Sequence, residues 1–528
     1  MESKSGRSRI LLLGGLTVFF LYTWISFIFT PLLGDIKNFL AAAKQASYIS
    51  NSLIVGAFQS WELKSVLSRL LMVFLYKVVV IFTPYGTYAF GCVVKGIYSV
   101  LLIFFVFLAV RLVFQKNRSK ILWATVAVST LFMACSTESH LQVEMTGNLL
   151  ILLAFALYWN AIRTNRLYLP KLLGAGMLIG LIFWLKSILL LMSVAVVAAV
   201  CIFLLEEGRR LSLKRMMIVV AGSLLSLAVI AGLVALINPS EFQEIINAAE
   251  YQESFFTPRI MWKKSFNDFI KGYSEKPFFT PVLLLGFVCL ITNLVRILRS
   301  RKVGQEDPVP ATQSVFFHLV LWLVPTLFVV ISDRYFSYHF FVYLFPAVIE
   351  IGDLLLHRSR ARDIIFTSAA VLAAGWYAVF FSLPAPNMQA FIQKDLQVQQ
   401  ETAAFLDSVG FDRSETVLYL DDGGGAYVLG NPSYLKHFFP LPLQRLLETT
   451  KKPIRQETLE KVLAYEGKYI TLQPYWFYSV NGYPEIREKM EREYTSVGQF
   501  AVFSPPHIIF PAEKIPVTWL DLYVRNGS

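Results

Sequence analysis

The chain has 528 residues, 55% of them apolar and 15% aromatic, and only 16% are charged, against about 25% in an ordinary soluble domain. Apolar runs of about 20 residues, each long enough for a ~30 Å hydrocarbon core, recur along the first three quarters, so a soluble enzyme, a DNA-binding protein, a collagen and a disordered tail are excluded together. The excess of 48 Lys and Arg over 36 Asp and Glu, net +12, then points to basic cytoplasmic loops and not to nucleic acid.

The N-terminal MESKSGRSR and the apolar run from Ile10 to about Thr30 have the charge order of a signal peptide. The run is too long and lacks an A-x-A cleavage site, so a retained first span is expected. With 10–31, further spans are expected at 86–112, 121–136, 146–162, 172–185, 187–205, 216–237, 278–297, 311–331, 339–356 and 363–383, about eleven in all. Short basic clusters lie between them: Lys116 to Lys120, Arg163 to Lys171, Arg209 to Arg215, Arg296 to Lys302 and Arg358 to Arg362. With the N-terminus inside, every cluster falls on the cytoplasmic side.

That topology depends on two choices. Segment 66–82 (VLSRLLMVFLYKVVVIF) is read as a helix lying in the outer interface, with Arg69 and Lys77 reaching toward headgroups, because a crossing here would move every later basic loop outside. Segment 172–205 is read as two short helices meeting near Lys186. The four cysteines, Cys92, Cys135, Cys201 and Cys289, lie in apolar segments without a CxxC and are read as small core residues.

An odd number of spans places residues 385–528 outside, and the text changes there. Pro384 and Pro386 precede a polar helical stretch, FIQKDLQVQQETAAFLDSVG, and then the β-type runs TVLYLDD, GAYVLG, KYITLQPYWFY and QFAVFSPP. The expected architecture is an α-helical polytopic membrane module, residues 1–384, with outer loops at 34–85, 137–146 and 238–277 and a small exported α/β domain at 385–528. The run DDGGGAYVLG (421–430) lacks a P-loop lysine and is read as a strand-to-loop turn.

Ionisable groups beside a bilayer are costly and mark candidate sites. The first outer loop opens with GDIKNFLAAAKQA (34–46), an amphipathic helical stretch with Asp35 at its start, which fits either a reactive carboxylate or a helix N-cap. Its apolar residues Phe39, Ala42 and Ala43 are expected to lie on the membrane. The second outer loop, CSTESHLQVEMTGN (135–148), places Glu138, His140 and Glu144 in a short turn. Two carboxylates with a His nearby suit deprotonation of a hydroxyl or capture of a divalent cation, and equally a solvated turn. Arg334, Tyr338 and His339 in SDRYFSYHFFVYLFP, with Lys186, make a cationic group suited to a phosphate at headgroup depth. The long loop 238–277 is rich in the aromatics, acids and amides that grip sugars, or serves as a lid.

The order of these pieces, GDIKNFLAAAKQA, LLMVFLYKVVVIFTPYG, STESHLQVEMTGNLLILLAFALYW, GLIFWLKSILLL and DRYFSYHFFVYLFP, resembles the GT-C superfamily of membrane glycosyltransferases. The nearest likeness is to the bacterial polyprenyl-phosphate-sugar branch that includes protein O-mannosyltransferase-like enzymes and the aminoarabinose transferase of lipid A. The resemblance implies an inverting transfer from a polyprenyl (undecaprenyl) phosphate sugar to a glycan, lipid or protein acceptor on the outer face of a bacterial inner membrane. It implies Asp35 as acid/base, Glu138 as second carboxylate, and Lys186, Arg334, His339 and Tyr338 toward the lipid phosphate, with His140, Glu144 and Lys77 as further candidates. No cofactor is required, and a divalent cation at Asp35 and Glu138 is compatible. The chain departs from the protein mannosyltransferase pattern in carrying Ile36 after Asp35 where those enzymes have an acidic pair. A flippase or transporter of lipid-linked glycans is the alternative, and it has no need of an acidic pair at the outer surface.

Overall fold

The computed structural model of the chain describes residues 2–30, 32, 34–59, 66–114, 118–135, 141, 143–164, 168–185, 213–240, 242, 280–303, 315–332, 342–356, 384–421, 424–435, 459–473, 484–503 and 517–528. In chain order the helices are α1 (Glu2–Phe29), α2 (Gly34–Ile49), α3 (Leu53–Gln59), α4 (Val66–Val79), α5 (Tyr88–Phe114), α6 (Arg118–Cys135), α7 (Val143–Thr164) and α8 (Tyr168–Leu185). They continue with α9 (Leu213–Ile237), α10 (Thr280–Val303), α11 (Val315–Ser332), α12 (Leu344–Leu356), α13 (Pro384–Ser408), α14 (Gly424–Leu429) and α15 (Pro484–Glu493). The strands are β1 (Val417–Leu420), β2 (Tyr469–Leu472), β3 (Tyr494–Phe503) and β4 (Val517–Arg525).

Of the eleven expected spans, nine fall on helices, α1 and α5 to α12, while 187–205 and 363–383 lie outside the described residues. Four stretches among the described residues are long and apolar enough to cross a membrane: Tyr88–Phe114, Val143–Ile162, Tyr168–Leu185 and Lys214–Ile237. The apolar parts of α1, α6, α10 and α11 are shorter, and α12 has 13 residues. The fold is thus mostly helical, with membrane-type helices and a small C-terminal sheet. Helix α4 has 14 residues, about 21 Å at 1.5 Å per residue, which falls short of a ~30 Å core.

The chain forms two compact units. One comprises Met1–Ile28, Tyr98–Ala231 and Arg259–Pro384, and the other Phe29–Ile97, Gly232–Pro258 and Ala385–Ser528. The segment after α1 therefore shares a unit with the C-terminal residues, whereas the sequence suggested a single division at 384/385.

In the first unit α8 and α9 meet along a seam of small residues. A Cβ on Gly176 would stand 2.1 Å from the Val219 carbonyl oxygen, and one on Gly222 would stand 2.3 Å from that of Leu173. Ser223 Oγ closes the seam by donating to the Gly176 and Val219 carbonyls at 2.9 and 3.1 Å, a contact open only to backbones in close approach. Between α10, α11 and α12 lies a fully buried polar trio. Asn293 Nδ2 donates to Glu350 Oε2 at 2.8 Å, and His318 Nδ1 stands 2.8 Å from Glu350 Oε1. Each carboxylate oxygen has a partner, as burial of such a group requires. Cys289 packs one turn away with Leu285 and Ile351, as a core residue, and Cys92 is half-buried.

The sheet of the second unit has the order β1-β2-β4-β3, with β1 parallel to β2 and the other neighbours antiparallel. Strands β1 (VLYL) and β2 (YITL) are buried at every position, as parallel strands covered on both faces are. Leu418, Leu420, Ile470 and Leu472 build a core with Tyr465 and with Ile486 and Met490 of α15. Helix α13 supplies a second cluster, Val398 with Ala501 and Phe503, pinned where Thr402 Oγ1 donates to the Ala501 carbonyl at 3.0 Å. Strand β3 shifts register against β4 between Ser496 and Gly498. Gly498 takes φ 137° there, and a Cβ would stand 2.8 Å from the Phe405 ring, so the bulge needs glycine.

At three places the structure differs from what the sequence leads one to expect. GAYVLG is not a strand but falls on helix α14, whose first turn is held by the buried Asp421 that follows β1. Its Oδ1 accepts from the Gly425 N–H at 3.2 Å, and its Oδ2 accepts from Thr471 Oγ1 of β2 at 2.6 Å. Arg69 does not reach toward headgroups, since it is buried within the second unit. The three α2 residues expected on the membrane do not face lipid either. Phe39, Ala42 and Ala43 are buried in protein, where the alanines let α2 pack closely on α3 and α4.

Candidate functional site

Asp35 is the second residue of α2, so its main chain is set by whatever holds the start of that helix. Two residues of α5 grip the connection from α1. Tyr88 Oη donates to the Phe29 carbonyl at 2.6 Å, and Lys95 Nζ, on a residue only 1% exposed, donates to the Thr30 carbonyl. Leu32 is buried in the space left by Gly91, where a Cβ would stand 3.0 Å from the leucine side chain. Thr30 and Leu32, which precede α2, are thus each held by α5.

Helix α2 is bound along its length to the C-terminal residues of the same unit. Lys37 Nζ donates to the Phe503 carbonyl of β3 and lies 5.6 Å from the Phe503 ring centre and 5.7 Å from that of Tyr427. Two turns on, Gln45 Nε2 donates to the Asn431 carbonyl at 2.7 Å while its Oε1 accepts from the Ser433 N–H at 2.8 Å. Tyr48 Oη donates to the Gly430 carbonyl at 2.6 Å. Gly430 takes φ 69° there, a conformation glycine adopts without strain.

Thr30, Lys37, Tyr88, Asp395, Gln399 and Tyr427 are among the residues around a small cavity of about 10 Å³, room for about one water. Asp395 of α13 is 5% exposed. Burial pushes its carboxyl above the usual range, opposed by the Lys37 cation, by a hydrogen bond with Gln399 and by the Lys95 cation. Nearby, Lys44 lies 4.9 Å from the Tyr85 ring centre and 5.6 Å from that of Tyr48, and burial, then Arg413, lowers its ammonium from the usual value.

Sequence reasoning missed Lys37, Lys95 and Asp395, although a cation inside the apolar run Tyr88–Phe114 was a visible signal. Glu144 is corrected: α7 begins at Val143, so this carboxylate sits in a helical first turn at 1% exposure and not in a solvated turn. A chain already helical by Val143 leaves its side chain to pack inward while its charge meets the helix N-terminus. Leu141, just before, holds φ 60° in a buried site, a left-handed conformation that costs a leucine about 1–2 kcal/mol. Lys77 donates to the Asn51 carbonyl and so ties α4 to the turn after α2. Glu138, His140, Lys186, Arg334, Tyr338 and His339 lie outside the described residues. Among the described residues no group of three His, Cys, Asp or Glu could hold a metal ion.

Set against protein-family models and against curated proteins, the chain matches none.

Proposed function

We propose that the chain is a membrane glycosyltransferase of the GT-C type, which moves a sugar from a polyprenyl-phosphate donor to an envelope acceptor on the outer face of a bacterial inner membrane. About eleven spans carry it, with the N-terminus in the cytoplasm and residues 385–528 outside. The observation that carries the reading is the placement of Asp35. It is a carboxylate in the opening turn of a largely buried helix that is bound to strand β3 and to residues 430–433 of its unit, the rigid mounting that a reactive group requires.

In the reaction, an acceptor hydroxyl oxygen attacks the anomeric carbon as the bond from that carbon to the phosphate oxygen breaks. The electron pair leaves with the phosphate, and the hydroxyl proton passes to Asp35. Glu138 assists the acceptor, while Lys186, Arg334, Tyr338 and His339 stabilise the departing phosphate. Helix α4 lies along the outer surface: it is too short to cross, and Ile81 and Phe82 just beyond it are exposed apolar residues suited to lipid.

The test is transfer of a labelled sugar from a synthetic polyprenyl-phosphate sugar by the purified full chain in nanodiscs, with envelope glycan extracts as acceptor. Labelled product supports the reading. Movement of a lipid-linked glycan across the bilayer without transfer would replace it with the flippase.

A further inference from the structure

The side chain of Lys37 does something unusual for a lysine two residues from a candidate reactive carboxylate. It leaves the first turn of α2, brings its Nζ over the rings of Tyr427 and Phe503, and ends on the Phe503 carbonyl of β3. The residue is 5% exposed, so an ammonium has been taken out of water, which is costly unless the site compensates it. Compensation comes from three parts of the chain: the β3 carbonyl, the two ring faces, and Asp395 of α13, which lines the same small cavity. All three belong to the C-terminal region, and none is within 350 residues of Lys37 along the chain.

We propose that Lys37 is a positioning residue that fixes the first turn of α2, and with it Asp35, to the C-terminal sheet, so that residues 385–528 are a working part of the site and not an appendage. The inference rests on the glycosyltransferase reading for its catalytic consequence. A neutral, flexible side chain at 37 would leave the Phe503 carbonyl without its donor and the Asp395 carboxylate with only Lys95 as a buried cation, and would free the helix start to shift. Displacement of a reactive group by about 1 Å can cost on the order of a hundredfold in rate without loss of binding.

Three variants of the full chain in nanodiscs test this: Lys37→Met, Lys37→Arg and Asp395→Asn. Two readouts are taken, transfer kinetics with the synthetic donor and hydrogen exchange of the α2 backbone amides at residues 38 to 43. In Lys37→Met, kcat should fall about tenfold or more while the donor KM stays within about twofold, and the α2 amides should exchange about tenfold faster. Lys37→Arg, which keeps a cation, should recover most of both. Unchanged kcat in a folded Lys37→Met protein that still transfers overturns the proposal, as does an arginine variant no better than the methionine one. Should Lys37→Met fail to fold, Asp395→Asn carries the same comparison, and wild-type kcat with wild-type exchange in that variant overturns the proposal. If the wild-type chain transfers no sugar, the glycosyltransferase reading fails by itself. Exchange then decides the tether: faster exchange in Lys37→Met supports it, and unchanged exchange sinks it.

Discussion

Gln45 recognises Ser433 as a neighbouring strand would: the Ser433 N–H donates to the side-chain Oε1 at 2.8 Å, and the Nε2 of the same amide donates to the Asn431 carbonyl at 2.7 Å. One planar carboxamide thus satisfies a backbone donor and a backbone acceptor nearly 390 residues away. Gln45→Leu removes both partners at once, and each unpaired group costs about 1–3 kcal/mol. The second unit should then melt several degrees lower, with residues 385–528 cleaved more readily by protease. Gln45→Glu keeps the acceptor only and should fall between. A leucine variant with wild-type melting and protease resistance would show that water replaces the amide at no cost.

Glycine positions on α9 give a contrast within one helix. Gly222 faces the Leu173 carbonyl at a separation that leaves no room for a Cβ, whereas Gly232 has nothing within 4 Å of where one would stand. Gly222→Ala should therefore force α8 and α9 apart and cost about 1–3 kcal/mol. Gly232→Ala should be neutral or stabilise by about 0.4–1 kcal/mol through the unfolded chain. Thermal stability of the purified variants in one detergent checks the order, and equal stabilities would refute the seam.

The trio of Asn293, His318 and Glu350 predicts a strongly asymmetric response. Glu350→Leu takes the acceptor from two 2.8 Å contacts and should destabilise by about 3–5 kcal/mol. Replacing all three together with leucines should recover much of that loss. Yield of monodisperse protein and its melting temperature decide the matter. A single variant no worse than the triple would mean that the carboxylate contributes nothing to holding α10, α11 and α12.

Asp35→Asn keeps size and hydrogen bonding but cannot accept a proton. The variant should insert, fold and bind donor while its transfer rate falls about a hundredfold or more, with a smaller defect in Glu138→Gln. Retention of more than about a tenth of the wild-type rate matches loss of a helix cap instead.

Topology is open to a direct reading. Alkaline phosphatase fused after Ser528 should be active in cells if, as proposed, an odd number of spans puts that residue outside. Activity only from a cytoplasmic reporter at the same position would reverse the sidedness of every loop.

Much of the helical framework was legible because a bilayer imposes a simple requirement, a continuous apolar run, and such runs stand out without any partner. Helix α2 was legible from the amphipathic stretch after the first span, with Asp35 at its head. Its surroundings were not, because Phe39 and Ala42 look the same whether they meet lipid or protein. Asp395 gave no signal, since a carboxylate among the glutamines of α13 reads as a solvated face. The grouping of Asn293, His318 and Glu350 depends on how three helices pack, which local periodicity does not encode. GAYVLG misled because an apolar run of six suits a short strand and a short helix equally, and the Asp421 contact that holds the helical turn lies outside the run.

Because α2 to α4 and the sheet belong to one unit while being encoded at opposite ends of the chain, the order of synthesis matters. Nearly 290 residues separate Ile97 from Ala385, roughly 15 to 60 s of translation at ordinary rates. Throughout that interval the sheet-facing side of α2 has no sheet to meet. A chain whose synthesis stops early lacks the Gly430, Asn431 and Phe503 carbonyls that Tyr48, Gln45 and Lys37 reach, and so remains distinguishable from finished protein to a protease.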